Sequence, residues 1–130
     1  MRIALIAILA ASALAASGPA SAEILHFTAS LNGASETPPN DSGGTGAAKV
    51  DLDTNAKTVS WIITYASLSG PATAAHFHGP APAGKAAGVE VPVKGDLASP
   101  ITGSASISDS QIADLKAGQW YEVTLTFRLE

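Results

Sequence analysis

Two histidines separated by one residue are the first side chains in this sequence that could do chemistry. His76 and His78 stand in the run Ala75-His76-Phe77-His78-Gly79-Pro80. Residues two apart on a strand project from the same face, so both imidazoles would point together while Phe77 faces the core. Histidine is a common ligand for copper and zinc. We therefore predict a metal site at His76 and His78, with a pair of solvated polar side chains as the alternative.

Two further side chains are weaker candidates for a site. His26 lies on the polar face of the first predicted strand and could join the pair if the two strands are neighbours. Glu36 precedes two prolines, whose rings hold the surrounding loop extended. It could act as a ligand or hydrogen-bond acceptor, or be a solvated loop acid. Trp120 and Tyr121 are predicted to serve in core and rim packing.

Catalytic patterns are scarce in this sequence. Cysteine is absent, which excludes a thiol nucleophile, disulfides and a lipid-modified cysteine anchor. No G-x-S-x-G elbow or phosphate-binding glycine loop is present, and no two acidic residues stand out as an acid and base pair. We predict a protein that is not an enzyme and has no cofactor other than copper or zinc at the histidines.

The first 22 residues have the order of a secretory leader. Arg2 supplies a positive charge, an apolar run follows to Ala16, and Ala20-Ser21-Ala22 offers a cleavage site. The run is shorter than the ~20 residues that a membrane-spanning helix needs. We predict a cleaved signal peptide at 1–22, a single domain at 23–130, and a secreted or periplasmic location without a membrane span.

The net charge of the chain restricts the kinds of molecule that are expected to bind it. The chain carries 7 Lys and Arg against 11 Asp and Glu, and loss of Arg2 with the leader makes it more negative. Without a basic cluster to follow phosphates, nucleic acid is not an expected partner. A protein or a surface of unknown identity is the expected partner.

The dominant period of the domain is two residues, which is typical of strands. The pattern predicts an antiparallel β-sandwich of immunoglobulin-like or Greek-key type with about seven strands. One short helix interrupts it before the last strand: Ser108 can cap this helix, Gln111 completes a capping box, and Gly118 ends it. The predicted strands are 24–31, 45–53, 58–66, 73–78, 89–93, 101–107 and 119–129.

These motifs, in this order, resemble the CHRD family, which is named after chordin and is widespread in secreted bacterial proteins. The resemblance covers most of the predicted domain. It implies an extracytoplasmic β-sandwich that serves as a binding or scaffold module. It rests on the following residues: Leu31, Gly33, Glu36, Pro38 and Pro39; Gly46; Leu68 and Gly70; Ala75 to Pro80; Leu115; and Ala117, Gly118 and Tyr121.

The end of the sequence departs from the family pattern. Members usually continue after the tyrosine with Asn-x-His-Thr and then Gly-Glu-Ile-Arg-Gly. Here Tyr121 leads into Glu-Val-Thr-Leu-Thr, and Leu125 stands where the family histidine is expected. We therefore expect a divergent or truncated closing strand, whether natural or from a shifted reading frame, and a sheet edge left unpaired.

Three classes of function follow from these observations. The first is an exported binding or scaffold module, with a transition metal at the paired histidines. The second is a purely structural component of an envelope or matrix. The third is an enzyme of the copper/zinc superoxide dismutase type, which three histidines in all do not favour. If histidines bind a metal, affinity should fall as they gain protons near pH ~6.5.

Overall fold

The computed structural model of the protein describes residues 2–8, 23–35, 39–82, 85–120 and 122–127. The five strands predicted between Ile24 and Val93 agree with the observed strands to within one residue, and the short helix lies before the last strand as predicted. In chain order the elements are β1 (Arg2–Ile8), β2 (Ile24–Asn32), a 3-10 turn (Gly33–Ser35), β3 (Thr45–Asp53), β4 (Thr58–Ala66), β5 (Ala72–His78), β6 (Val89–Val93), β7 (Ile101–Ser106), α1 (Asp109–Lys116) and β8 (Glu122–Phe127).

The strands form two antiparallel sheets, which confirms the predicted sandwich. Their order is β6-β5-β8-β1-β2-β3-β4-β7, and β1 joins β6-β5-β8 to β2-β3-β4-β7. The order begins at β6 and ends at β7, so the sheets do not close into a barrel. Seven of the described strands follow the predicted leader, and β1 lies inside it. β8 pairs with β5 on one side and with β1, at Arg2 and Ile3, on the other. The unpaired edge expected for the mature chain, which would lack residues 1–22, stays a prediction.

Alternate residues of each sheet face the interior. On β4, Val59, Trp61 and Ile63 are buried. The ring centroids of Trp61 and Phe77 lie 5.2 Å apart, and those of Phe77 and Trp120 lie 6.2 Å apart. The predictions that Phe77 faces the core and that Trp120 serves in packing are therefore confirmed. The other buried apolar residues are Phe27, Leu31, Ala48, Val50, Leu52, Ala75, Val91, Val93, Ile101, Ile107 and Leu115.

The turn between β3 and β4 is fixed by the side chain at its start. Asp53 Oδ1 accepts hydrogen bonds from the backbone N–H groups of Asn55 at 2.9 Å and Ala56 at 2.8 Å. Asp favours such turns because its short side chain can satisfy the backbone locally. This turn sets the register between β3 and β4, which pair from Thr45 opposite Ala66 to Asp53 opposite Thr58.

Helix α1 begins and ends as its sequence predicts. Gln111 N–H donates to Ser108 Oγ at 3.2 Å, and Ser108 N–H donates to Gln111 Oε1 at 2.9 Å, which completes the capping box. Gly118 follows the helix with a φ of 72°, a conformation that glycine adopts at little cost. Leu115 anchors the helix in the core. No helix in the described part of the chain has the length and apolar character needed to cross a bilayer.

Candidate functional site

The histidine pair lies on β5, the central strand of the β6-β5-β8 sheet. Ala75 and Phe77 point into the core, with 1% and 4% of their surfaces exposed, while His76 and His78 are half-buried on the opposite face. Their ring centroids are 5.9 Å apart and their planes are inclined by 83°. The structure therefore brings both imidazoles together on the outer face of this sheet, as the strand period predicts.

A β-bulge lies beside the second histidine. Phe77 pairs with Val91 on β6, but His78 pairs with Val89, so Glu90 is an extra residue between these two partners. A bulge of this kind turns the following side chains and is frequent next to functional sites. Val89 is 52% exposed although the alternation of valines would set it on the same face as Val91. The bulge therefore shapes the surface next to His78.

The orientation of the His78 ring is fixed by a backbone carbonyl. Its Nδ1 lies 3.1 Å from the oxygen of Ala87. A carbonyl oxygen only accepts hydrogen bonds, so Nδ1 is the donor, and in the neutral ring Nε2 then carries the lone pair. Nε2 is shielded from solvent and has no hydrogen-bond partner. Histidines that bind metals commonly donate their other ring N–H to a carbonyl in this way.

The loop that contains Ala87 follows β5 and is held by two backbone hydrogen bonds. Gly79 N–H donates to the oxygen of Gly88 at 3.1 Å, and Ala81 N–H donates to the oxygen of Gln119 at 2.9 Å. Gly79 fits closely against the chain: a Cβ placed there would lie 2.8 Å from the oxygen of Gln119. The glycine that follows the histidines is therefore needed for the loop to pack against the approach to the last strand.

At this position on β5 the described side chains bring two imidazoles together. Within the described ranges, no group of three or more His, Cys, Asp or Glu residues could hold a metal ion. A metal at His76 and His78 would complete its coordination with water or with groups of a partner. The dismutase-like alternative requires a larger set of ligands than these residues bring together.

His26 does not join the pair. Its Nδ1 lies 2.6 Å from Asp51 Oδ1 on the surface, where the two side chains are 71% and 53% exposed. The strand that carries it, β2, is separated from β5 by β1 and β8 in the strand order. His26 and Asp51 are register partners on β2 and β3. The polar faces of these two consecutive strands give a sequence signal that could have predicted this contact.

The other predicted candidates are only partly described. Glu36 and Tyr121 lie outside the described residues. Sequence reasoning missed the contact between His78 and the carbonyl of Ala87, because a backbone acceptor leaves no signal in residue type.

A cleft lies between the two outermost strands, β6 and β7, away from the histidine pair. It has a volume of about 330 Å³ and is lined in part by Trp61, Glu90, Lys94 and Ser104. Gln111 reaches across from α1 and donates from Nε2 to Glu90 Oε2 at 2.9 Å. This bond links the helix to β6 and engages the carboxylate of Glu90.

The protein is a small, cysteine-free β-sandwich domain with a pair of histidines on the outer face of one sheet. A family model described as the CHRD domain matches residues 27–124. The match covers most of the chain, which therefore belongs to the CHRD domain family. A comparison with curated proteins and one with solved structures each found no significant match.

Several residues that carry the family resemblance have packing roles. Leu31 is 2% exposed. A Cβ at Gly33 would collide with Asn40, and a Cβ at Gly46 would collide with the backbone oxygen of Thr64. These motif positions are explained by packing, and His78 also contacts the loop through the oxygen of Ala87.

Proposed function

We propose that this chain is an exported, non-enzymatic binding module that holds a divalent transition metal at His76 and His78. The observation that carries the proposal is the state of the His78 ring. Its Nδ1 is hydrogen-bonded to the oxygen of Ala87, and its Nε2 is a buried polar atom without a hydrogen-bond partner, which a metal ion at this position would supply. By the usual order of affinities for divalent metals, copper binds more tightly than zinc.

Export is supported by the leader pattern of residues 1–22. N-terminal sequencing of the protein recovered outside the cytoplasm tests this part of the proposal. We expect the mature chain to begin at Glu23.

A non-enzymatic role is supported by the arrangement of a row of described side chains that contains histidine, aspartate and serine. His26 is opposite Asp51, and Asp51 is opposite Ser60 on the next strand. In a hydrolase triad the histidine lies between the serine and the carboxylate. Here the aspartate is in the middle, and two strand spacings of about 4.8 Å each separate His26 from Ser60. This row is therefore not arranged for nucleophilic catalysis.

Titration with Cu²⁺ in the presence of a weak competing chelator tests the metal site. We expect one equivalent to bind the wild-type protein, and electron paramagnetic resonance to show coupling to imidazole nitrogens. The double variant His76→Ala/His78→Ala should lose this binding. His26→Ala is the matched control because it removes an exposed histidine from another strand, and it should bind like the wild type.

The outcome that contradicts the metal proposal is equal binding by the wild type and the double variant, or binding that is lost in His26→Ala. In either case His76 and His78 become surface residues without a ligand. The structural envelope or matrix role would then be the better account, because the motif glycines and Leu31 are already explained by packing.

A further inference from the structure

The predicted leader contributes a strand to the fold. Six of the seven residues of β1 are apolar, and the same segment supplies the charge and the start of the apolar run of the leader. It lies between β2 and β8 and is antiparallel to both. It also lies outside residues 27–124, which match the family model. The strand that joins the two sheets is thus one that cleavage after Ala22 would remove.

The two strands beside β1 are each held from their other side. β2 pairs with β3 from Ile24 opposite Asp53 to Asn32 opposite Thr45. β8 pairs with β5 from Ala72 opposite Phe127 to His78 opposite Glu122. Loss of β1 would therefore leave two supported edges that face each other. We call this gap the seam: residues 28–32 of β2 on one side, and Leu125 and Thr126 of β8 on the other.

An open seam exposes groups that bind a strand. β1 pairs with β2 from Ala4 opposite Asn32 to Ile8 opposite Thr28. Without it, the outward N–H and C=O groups of residues 28–32 lack partners, and such an edge is a template for another strand. Leu5 and Ala7 are the register partners of Leu31 and Ala29. Leu31 is buried and Ala29 is half-buried, so the interior side of the seam is apolar, while its edges carry polar backbone groups.

We propose that the seam is a strand-acceptor site of the exported protein. After the leader is removed, it takes an extended apolar segment of about seven residues from another polypeptide, which pairs antiparallel with β2 and β8. Main-chain hydrogen bonds supply the affinity, and alternate apolar residues at the positions of Leu5 and Ala7 supply the selectivity. The proposal rests on the export part of the proposed function and does not depend on the metal.

The test begins with the full chain, folded with β1 in place. A protease site is introduced between residues 9 and 22, the chain is cut, and a labelled peptide with the sequence Arg2–Ile8 is added in excess. We expect the labelled peptide to exchange into the seam. Hydrogen exchange of the amides in residues 28–32 that face the seam should be at least about tenfold slower with the peptide bound than after its removal. A matched peptide with Leu5→Pro and Ala7→Pro should bind at least about tenfold more weakly, because proline lacks the N–H that pairs with an edge.

Three results decide the matter. If the freed protein pairs with a second copy, and the peptide reverses this association, the seam accepts strands and its occupant is another copy of this chain. If the protein unfolds on release, restoration of amide protection by the wild-type peptide alone supports the site, and failure to restore it overturns the site. Equal exchange at residues 28–32 with and without the peptide also overturns it.

Failure of the export proposal gives a different result. A leader that remains on the exported chain, found by N-terminal sequencing, contradicts cleavage while the cut-chain experiment still reports on the seam. A cleaved leader with no peptide binding contradicts the seam and leaves the export proposal intact.

Discussion

Adjacent isoleucines on β4 provide a strict test of the sheet register. Ile63 is 0% exposed and Ile62 is 50% exposed, although both lie in the middle of the same strand. Truncation of Ile63 to alanine removes buried methylene groups and leaves a cavity, for which the expected loss is about 2–5 kcal/mol of unfolding free energy. Truncation of Ile62 removes groups that are already half in water and leaves no cavity. Its expected loss is about 1 kcal/mol, half the transfer value for the same groups.

Urea denaturation of the Ile63→Ala and Ile62→Ala variants measures this difference. Because both positions share a strand, a change in strand propensity affects them alike, and the remaining difference reports burial. The midpoint should fall further for Ile63→Ala, while the slope of free energy against urea stays the same in both variants. Equal losses, or a larger loss at Ile62, would mean that β4 is displaced by one residue and that its two faces are exchanged.

Three further outcomes are expected. Gly79→Ala should lower the free energy of unfolding by about 1–3 kcal/mol in thermal or urea denaturation, because its Cβ would lie 2.8 Å from the oxygen of Gln119. Gly88→Ala is the control, since a Cβ there meets nothing within 4 Å, and equal losses in the two variants would refute the close contact at Gly79. Ser108→Ala should lower the free energy of unfolding by about 1 kcal/mol, because it removes the cap of α1. An unchanged urea denaturation midpoint would show that the capping box with Gln111 adds no stability. Copper affinity should be lower at pH 5 than at pH 7.5, since protonated imidazole cannot ligate, and equal affinity at the two pH values would argue against histidine ligands.

Much of the fold could be predicted because the signals are local. The alternation in 45–53 and 58–66 gave the bounds of β3 and β4 without error. Asp53 and Ser108 act on backbone groups within three residues of themselves, so their turn and cap are legible in the sequence. The period of β5 likewise predicted that His76 and His78 share a face and that Phe77 enters the core.

The rest of the candidate site could not be predicted, since it depends on groups distant in the chain. Whether His26 could reach the histidine pair depended on strand order, and the structure places it beside Asp51 instead. The tautomer of His78 is set by the backbone oxygen of Ala87, and a backbone contact of this kind cannot be predicted from residue types. The exposure of Val89 follows from a bulge in its pairing with β5.

The sequence by itself determined the strands of the domain, its turns and caps, and the common face of the two histidines, because each depends on short-range periodicity or on a side chain bonding to nearby backbone. Only the tertiary structure decided that residues 2–8, read as part of a leader, fill the space between β2 and β8. A strand edge is completed by whichever segment supplies backbone N–H and C=O groups in register. This requirement is nearly independent of side-chain identity, so the partner of an edge is determined by the assembled sheets.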